Sequence, residues 1–399
     1  MKKERRVKKF GSKALSIFLI LIICLWTCLP VSAKTESVDK HMADKVDLSF
    51  DCKSAILMEA STGTILYEQN PDEALPPASV TKIMTLLLVM EAIEEGKIKY
   101  TDTVRASANA CSMGGSQIYL EENEEMSVED LLKSVVIASA NDAAVALAEH
   151  IAGTEEAFVD MMNEKARLLN MENTSFENTN GLDDTVQAHL TSARDIAIMS
   201  RELIRYPKII EYSSIWMDSI RNGEFGLTNT NRLVRFYKGA TGLKTGSTSK
   251  AGFCISATAE RNGMTLIAVI MGSPTRDIRN SAAVSLLDYG FANYSLYTNK
   301  GQSINNIPVV KGIQPYLKAE YSDFYCVINK KGSVKITVEP MLPEKITAPV
   351  TKGDVIGEVV YKMGENEIGR LSVIASENIE GLSFWRMFKE FFKKFANIF

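Results

Sequence analysis

Two apolar hairpins lie far apart in the sequence and enclose a long helical region. The first hairpin covers Ser54–Met58 and Thr64–Tyr67, and the second covers Phe253–Ala259 and Met264–Met271. Between them, residues 79–240 carry their apolar side chains mainly at helical spacing. A lone hairpin cannot bury its apolar face, so strands at both ends of a helical region predict one sheet assembled from distant segments. We therefore expect an α+β domain.

The C-terminal part of the chain changes character after Gly301. A helix predicted from about Arg279 to Tyr294 is followed by short runs of alternating hydrophobicity between polar turns. These runs cover Tyr325–Asn329, Val334–Val338, Val355–Tyr361 and Gly369–Ala375. They predict a small all-β domain over residues 299–378, after a larger domain over residues 48–298.

The N-terminus has the three parts of a secretory signal peptide. Lysines and arginines crowd residues 2–13, an apolar run follows from Ala14 to Leu29, and small residues end the segment at Ala33. This order predicts cleavage after Ala33, which removes residues 1–33 and leaves a polar leader over residues 34–47. An uncleaved membrane anchor is the alternative, although the apolar run is short for a full span.

Charge and residue counts exclude several function classes. The whole chain has a net charge of −4 and residues 1–33 carry +6, so the remaining body carries −10, which argues against a nucleic-acid partner. Only three histidines occur, and neither His-Glu-x-x-His nor Gly-x-Ser-x-Gly is present, so zinc hydrolases and Ser-His-Asp hydrolases lose support. The four cysteines after residue 33 are scattered, and we predict mostly buried thiols with at most one disulfide. We expect no metal and no cofactor.

An amphipathic helix is predicted over residues 380–399. At helical spacing its apolar side chains fall in one arc of roughly 160°, and its lysines and arginine lie opposite. The apolar set is Phe384, Trp385, Met387, Phe388, Phe391, Phe392, Phe395, Ile398 and Phe399. This arrangement is typical of a helix that lies in a membrane interface, whereas a helix packed on the protein's own core is the alternative. With the signal peptide, it predicts an exported protein held peripherally on the outer face of the cytoplasmic membrane.

A serine and a lysine stand three residues apart where a helix is expected to begin. Two prolines disfavour helix before Ser79, and the apolar run after it has helical spacing, so Ser79 and Lys82 share one helix face. A lysine whose charge is suppressed by burial can take the proton of a nearby hydroxyl and make it a nucleophile. The alternative is an N-cap serine beside a surface lysine, since Ser-x-x-Lys recurs at Ser37 and Ser247.

Two further motifs follow in order along the chain. Ser139-Ala140-Asn141 lies in a stretch predicted to be helical over residues 126–153, and Lys244-Thr245-Gly246 immediately precedes the second hairpin. Ser-x-Asn by itself carries no information because it recurs elsewhere, whereas Lys-Thr-Gly occurs once. The functional indication comes from the three motifs occurring in this order, each in its expected structural context.

This set resembles the motifs of the serine penicillin-recognising enzymes, and within them the D-alanyl-D-alanine carboxypeptidases among the low-molecular-mass penicillin-binding proteins. The resemblance extends from about Ala55 to the C-terminus and includes the segments SMGGSQIYL, ASANDAAVALAE, NTSFENTNGL and GATGLKTGSTSKAGFC. It implies a β-lactamase/transpeptidase-like catalytic domain, with helices on both faces of an antiparallel sheet and a helical subdomain. It also implies that the protein removes the terminal D-alanine from peptidoglycan stem pentapeptides and is acylated by β-lactam antibiotics.

Catalytic roles can be assigned to the motif residues one by one. Ser79 is the candidate nucleophile and Lys82 its candidate base. Ser139 would relay a proton to the leaving amine, and Asn141 would hold Lys82 or the substrate backbone. Lys244 would keep Lys82 neutral and attract the anionic end of the peptide.

The residues around the third motif are the candidates for substrate binding. Gly246 would let the substrate backbone lie close to its strand. The resemblance implies that the backbone N–H groups of Ser79 and Ser247 form the oxyanion hole. Thr245 and Arg279 would bind the free carboxylate at the end of the substrate.

Other functions and assignments stay open on the sequence alone. A β-lactamase would need a carboxylate that activates water for deacylation, and Glu177 is the only candidate at a suitable distance after Ser139. A protein that senses β-lactams or wall peptides without turnover would share the motifs, and a DD-endopeptidase acting on cross-links would share the mechanism. Arg276 is a rival for the role of Arg279, and His189 is interpreted as shaping a helix start.

Overall fold

The structure is a computed structural model. It describes residues 48–183, 186–331 and 335–383, together with Trp385, Phe388, Lys389 and Phe392. The predicted signal peptide, the leader over residues 34–47 and most of the predicted C-terminal helix lie outside the described residues.

The secondary structure is numbered here in chain order. The strands are β1 Ser54–Glu59, β2 Ile65–Gln69, β3 Thr103–Arg105, β4 Glu125–Ser127, β5 Met217–Ile220, β6 Phe225–Thr228, β7 Ala240–Thr248, β8 Gly252–Arg261, β9 Met264–Ser273, β10 Tyr294–Asn299, β11 Ser303–Val310, β12 Tyr316–Glu320, β13 Phe324–Asn329, β14 Ile336–Met341, β15 Ile346–Thr347, β16 Val355–Met363 and β17 Asn366–Ala375. The α-helices are α1 Lys82–Glu94, α2 Ala108–Cys111, α3 Val128–Lys133, α4 Asn141–Ala152, α5 Glu155–Leu168, α6 Ala193–Leu203, α7 Pro207–Ser213, α8 Leu233–Phe236 and α9 Arg276–Asn293.

The two distant hairpins form one antiparallel sheet in the order β2-β1-β9-β8-β7. Strands β1 and β9 pair with Leu57 opposite Ala268, so both ends of the helical region meet at the centre of the sheet. Side chains alternate between two cores, with Ile56 on one face and Leu57 on the other. Helix α6 packs against β1 and β9 on the first face, and α9 packs against β8 and β9 on the second. The α+β fold with helices on both faces of the sheet is therefore confirmed.

The helical stretch predicted over residues 126–153 is interrupted in the structure. After α3 a π-helical segment covers residues 134–138, and it ends at Ser139, whose backbone is left-handed with φ 63° and ψ 29°. Helix α4 then begins at Asn141. The prediction of one continuous helix is wrong, because a left-handed residue cannot continue a right-handed helix. The second motif lies at this break, where its side chains can point out of the helical layer.

Between α9 and residue 383 the regular secondary structure of the described chain is all-β, as the sequence predicts. One sheet has the order β14-β16-β17-β12-β11-β15, and β10 pairs separately with β13. The small core includes Val359, Val373 and a stacked pair of rings, Phe324 and Tyr361, whose centroids lie 3.8 Å apart. Val327 of β13 joins the core on the α9 face of the large sheet, so the two domains share apolar contacts.

The four cysteines after residue 33 are all free thiols. Only Cys254 is buried, and Cys52, Cys111 and Cys326 are half-buried. The prediction of mostly buried thiols is therefore wrong for these three. The disulfide that the sequence left open does not form in the structure.

Candidate active site

One cleft of about 620 Å³ collects the residues of the three predicted motifs. It is bordered by strand β7, by a short 3₁₀ turn over residues 78–81 and by the break before α4. The predicted residues that line it are Ser79, Ser139, Thr245, Gly246, Ser247 and Arg279. The other three, Lys82, Asn141 and Lys244, are buried and hydrogen-bonded to this surface or to one another.

Ser79 lies on the 3₁₀ turn that precedes α1. Ala78, directly before it, has φ 50°, a conformation that residues with a Cβ adopt rarely. Strand β7 passes so close that a Cβ added to Gly246 would lie 2.8 Å from the backbone nitrogen of Ser79 and 2.9 Å from the carbonyl oxygen of Pro77. The position therefore requires glycine. Gly246 is predicted from the sequence to let the substrate backbone lie close, and in the structure it also contacts the turn that carries Ser79.

Lys82 begins α1 and is fully buried. Its Nζ lies 3.0 Å from Oγ of Ser79, 2.5 Å from Oδ1 of Asn141 and 2.7 Å from the carbonyl oxygen of Asn180. The amide of Asn141 donates through Nδ2 to the carbonyl oxygen of Gly114 at 2.6 Å, which turns Oδ1 towards the lysine. Two fixed acceptors thus hold two amine protons, so a neutral Lys82 can present its lone pair to Ser79.

Two buried lysines stand behind the cleft. Burial lowers the pKa of Lys82 well below its usual 10.5, the charge of Lys244 lowers it further, and Asp142 acts in the opposite direction. Burial also lowers the pKa of Lys244 to about 7, with a contribution from the charge of Arg279. Burial of Lys82 and the charge of Lys244 both favour a neutral amine at Lys82, the form that can accept a proton.

Ser139 joins the break before α4 to strand β7. Its Oγ accepts a hydrogen bond from Nζ of Lys244 at 2.8 Å, and the same amine donates to the carbonyl oxygen of Thr245 at 2.9 Å. A left-handed backbone at a residue with a Cβ persists only where the surroundings hold it. The buried bond between Ser139 and Lys244 is part of that support, and it aims the serine hydroxyl into the cleft.

Two arginines at the start of α9 line the cleft near Thr245. Arg279 is buried and donates to the carbonyl oxygen of Cys254 at 3.2 Å and to Oδ1 of Asn280 at 2.8 Å. Burial lowers its pKa to about 10, with a contribution from the charge of Arg276. Arg276 is exposed. Both arginines line the cleft, but Arg279 is buried and its guanidinium is held by hydrogen bonds, of which the one to Cys254 is buried.

His189 belongs to the site, although the sequence analysis interpreted it as shaping a helix start. Its Nδ1 accepts a hydrogen bond from the backbone N–H of Glu177 at 2.9 Å, so the neutral ring carries its proton on Nε2. Nε2 lies 2.7 Å from Oγ1 of Thr81, which donates to the carbonyl oxygen of Ala78 at 2.9 Å. Burial lowers the pKa of His189 to about 4. The ring supports the turn that carries Ser79, and no short sequence motif marks this contact.

Glu177, the carboxylate considered for deacylation, is engaged elsewhere. It accepts hydrogen bonds from the backbone N–H groups of Gln187 at 2.8 Å and Ala188 at 3.1 Å, and it does not line the cleft. A carboxylate that activates water must lie within reach of the acylated serine.

Within the described residues, no group of three or more His, Cys, Asp or Glu side chains could hold a metal ion.

Comparison with known protein families covers both domains. Residues 39–275 match the family model of D-alanyl-D-alanine carboxypeptidase, and residues 291–381 match that of the penicillin-binding protein 5 C-terminal domain. The D-alanyl-D-alanine carboxypeptidase DacF of Bacillus subtilis is 41% identical over 93% of this chain and 96% of its own length. The D-alanyl-D-alanine carboxypeptidase DacC of Escherichia coli is 34% identical over 83% of this chain and 85% of its own.

Solved structures agree with these matches. Penicillin-binding protein 5 from Haemophilus influenzae is 32% identical and superimposes with a TM-score of 0.73 over 84% of this chain and all of its own. Penicillin-binding protein D2 from Listeria monocytogenes in its ampicillin-bound form is 30% identical, with a TM-score of 0.57 over 62% of this chain and all of its own. The matches span the catalytic and the β domains, and the chain therefore belongs to the D-alanyl-D-alanine carboxypeptidase family, in the low-molecular-mass penicillin-binding protein group.

Proposed function

We propose that this protein hydrolyses the bond between the two terminal D-alanines of peptidoglycan stem pentapeptides through an acyl-enzyme on Ser79. The observation that carries the proposal is the contact of 3.0 Å between Oγ of Ser79 and Nζ of the buried Lys82. Because the pKa of Lys82 is lowered by burial, a neutral amine stands next to the hydroxyl and can take its proton. The activation of the serine needs no histidine.

The first step forms the acyl-enzyme. Oγ of Ser79 bonds to the carbonyl carbon of the penultimate D-alanine while its proton passes to Lys82. The oxygen that becomes negative would accept hydrogen bonds from the N–H groups of Ser79 and Ser247, each worth about 3 kcal/mol in the transition state. The carbon–nitrogen bond then breaks, and Ser139 relays the proton held by Lys82 to the amine of the departing D-alanine, which leaves Lys82 neutral again. Lys244 holds the Ser139 hydroxyl in place at 2.8 Å.

Water completes the reaction in the second step. It attacks the acyl carbon while the neutral Lys82 takes one of its protons, the ester bond to Ser79 breaks, and the serine oxygen recovers that proton from Lys82. A β-lactam enters the first step in the same way, because Ser79 opens its strained amide, but the amine that leaves stays tethered to the acyl group. The ampicillin-bound form of the Listeria relative supports this assignment.

Recognition of the substrate terminus falls to Thr245 and Arg279. A carboxypeptidase must distinguish a free carboxylate from the middle of a chain, and a fixed guanidinium with a neighbouring hydroxyl suits that group. Arg279 is buried and held in the cleft by hydrogen bonds, which reduces the entropy lost when a carboxylate binds. The exposed Arg276 is the second candidate for this role.

The experiment that tests the proposal combines labelling with turnover. After brief exposure to benzylpenicillin, mass spectrometry should locate the adduct on Ser79, and the wild-type protein should release D-alanine from a model pentapeptide. Ser79→Ala should lose both activities without a change in melting temperature, whereas Ser214→Ala, an exposed serine outside the cleft, should keep both. An adduct that persists in Ser79→Ala would overturn the mechanism. Labelling without D-alanine release would identify a binding protein instead.

We place this activity outside the cell, at the outer face of the cytoplasmic membrane. The predicted signal peptide provides the export, and the C-terminal aromatic residues provide the attachment. Trp385, Phe388 and Phe392 are exposed, and their rings are in contact along one helix face, with centroids 6.2 Å and 4.7 Å apart. No helix in the described parts of the chain is long and apolar enough to cross a membrane.

Truncation tests the attachment. A chain that ends at Ile379 should be recovered as a soluble carboxypeptidase, and the full-length protein should stay on membranes in high salt because burial of several aromatics outweighs ionic attraction. Release of the intact protein by salt alone, or membrane binding by the truncated one, would contradict a hydrophobic anchor.

A further inference from the structure

The cleft continues past Thr245 into a wall of cationic and aromatic side chains. Thr245 donates a hydrogen bond to the hydroxyl of Thr230 at 2.8 Å, and the chain after Thr230 leads into the short helix α8. Side chains from this segment and from the turn before β5 line the same cleft as Ser79. We name them the cation–aromatic wall, which consists of Trp216, Arg232, Arg235 and Phe236.

Arg235 is ordered by the two aromatic rings of the wall. Its guanidinium carbon lies 5.4 Å from the ring centroid of Trp216 and 5.4 Å from that of Phe236. Stacking on ring faces restrains the side chain and leaves the N–H edges of the guanidinium available to an acceptor. The indole N–H of Trp216 is buried, yet it has no hydrogen-bond partner in the structure. Phe236 is 73% exposed beside the cleft, which is a large apolar surface to leave in water.

The charges of the wall and of the neighbouring Arg276 are not balanced by carboxylates of the described residues. Arg232, Arg235 and Arg276 are exposed, and none forms an ion pair with a residue that the structure describes. Surface arginines elsewhere do pair, for example Arg221 with a glutamate at 2.7 Å and Arg370 with two glutamates at 2.8 Å. Three unpaired cations in the cleft that also contains the buried arginine of the carboxylate site create a positive field that favours an anionic ligand.

We propose that the cation–aromatic wall is a subsite for the leaving group, and that it binds a second anionic group on an amine larger than D-alanine. The proposal rests on the function given above, since it places the substrate carboxylate at Thr245. The wall adjoins Thr245 through Thr230, so it lies beyond the bond that is cleaved, on the side of the departing amine. The reaction is unchanged: Ser79 takes the D-alanyl group, the carbon–nitrogen bond breaks, and the amine takes the proton. The protein then cleaves D-alanyl bonds to dicarboxylic D-amino acids.

The test compares three acylated peptides that differ only in the residue after the scissile D-alanyl bond. One ends in D-alanine, one in D-glutamate and one in D-glutamine, so the last two match in size and differ in one negative charge. The wild-type protein should cleave the D-glutamate peptide with a kcat/KM about tenfold above that of the D-glutamine peptide, the ratio expected of one charge-assisted hydrogen bond. Arg235→Gln should bring this ratio close to one. Lys238→Gln removes a charge from an exposed residue that does not line the cleft, and it should leave the ratio unchanged.

The ratio divides out any general loss of activity in a variant, so it reports on the wall alone. A ratio near one in the wild-type protein, or a ratio that survives in Arg235→Gln, would overturn the subsite while D-alanine release still supports the carboxypeptidase. Failure to release D-alanine from the first peptide would overturn the proposed function and, with it, the subsite. If the ratio decreased equally in Arg235→Gln and Lys238→Gln, the preference would come from the overall positive charge of the surface and the proposed subsite would be wrong.

Discussion

Nζ of Lys244 lies 2.8 Å from Oγ of Ser139, although the two residues are 105 positions apart in the sequence. The bond joins the edge strand β7 to the break before α4, and both side chains are buried. It brings the charge of Lys244 close enough to Lys82 to lower the pKa of Lys82. One contact therefore positions a hydroxyl and lowers the pKa of Lys82, the base that we propose for Ser79.

Lys244→Gln should move the acid limb of the pH–rate profile for acylation to higher pH. Acylation needs neutral Lys82, so its rate rises with pH through the pKa of Lys82. Below pH of about 7, Lys244 is charged and lowers that pKa, and glutamine removes the charge while keeping a hydrogen-bond donor for Ser139. The rate of acylation by a fluorescent penicillin, measured against pH, checks this. A limb that stays in place or moves to lower pH would show that Lys244 does not act on Lys82.

Gly246→Ala should lower the acylation rate by about a hundredfold, the effect of a small misplacement of reacting groups. The new methyl would lie 2.8 Å from the backbone nitrogen of Ser79 and push β7 away from the turn. Gly226→Ala is the matched control, since a methyl in β6 meets no atom within 4 Å. Melting temperatures separate misplacement from unfolding. Acylation of Gly246→Ala at the wild-type rate would refute the close contact.

Arg279→Ala should reduce kcat/KM for a peptide with a free terminal carboxylate by about ten- to a hundredfold, the worth of a charged hydrogen bond. A peptide amidated at that end should lose less, because it has no charge to pair. Arg276→Ala, measured with the same two peptides, serves as the comparison. If Arg279→Ala affects both peptides equally and Arg276→Ala discriminates, the carboxylate belongs to Arg276.

In His189→Gln, the free energy of unfolding should decrease less than in the wild-type protein as the pH falls from 6.5 towards about 4. The pKa of His189 falls from 6.5 to about 4 on folding, so the unfolded chain binds more protons between these values. The free energy of unfolding then falls as pH drops from 6.5 towards about 4. The charged groups that act on the ring are Glu177 and Asp183, which raise its pKa, and Lys82, which lowers it. Thermal unfolding at a series of pH values measures the difference, and an identical pH dependence in both proteins would contradict the buried neutral ring.

The acylation rates of His189 variants test separately whether His189 supports the turn that carries Ser79. His189→Ala removes the bond to Thr81 and should slow acylation, whereas glutamine can still donate to Thr81 and should restore part of the rate. Equal rates in both variants would limit His189 to a packing role.

The sequence by itself determined most of the elements and identified the candidate site residues. Alternation in strands and spacing in helices are local properties, so the second hairpin, predicted over residues 253–259 and 264–271, agrees with β8 and β9 to within two residues at each end. The sheet followed from two hairpins that could not stay unpaired. The three motifs could be read because each depends on a few neighbouring residues.

Only the tertiary structure decided how these residues meet. The break at Ser139 runs against helical spacing and exists because distant contacts hold it, among them the bond from Lys244. The third partner of Lys82 is a backbone carbonyl at Asn180, and carbonyls leave no trace in residue type. The same holds for His189 under the catalytic turn and for Arg235 between its rings. Burial and distance set pKa values and orientation, and both arise only when segments far apart in sequence pack together.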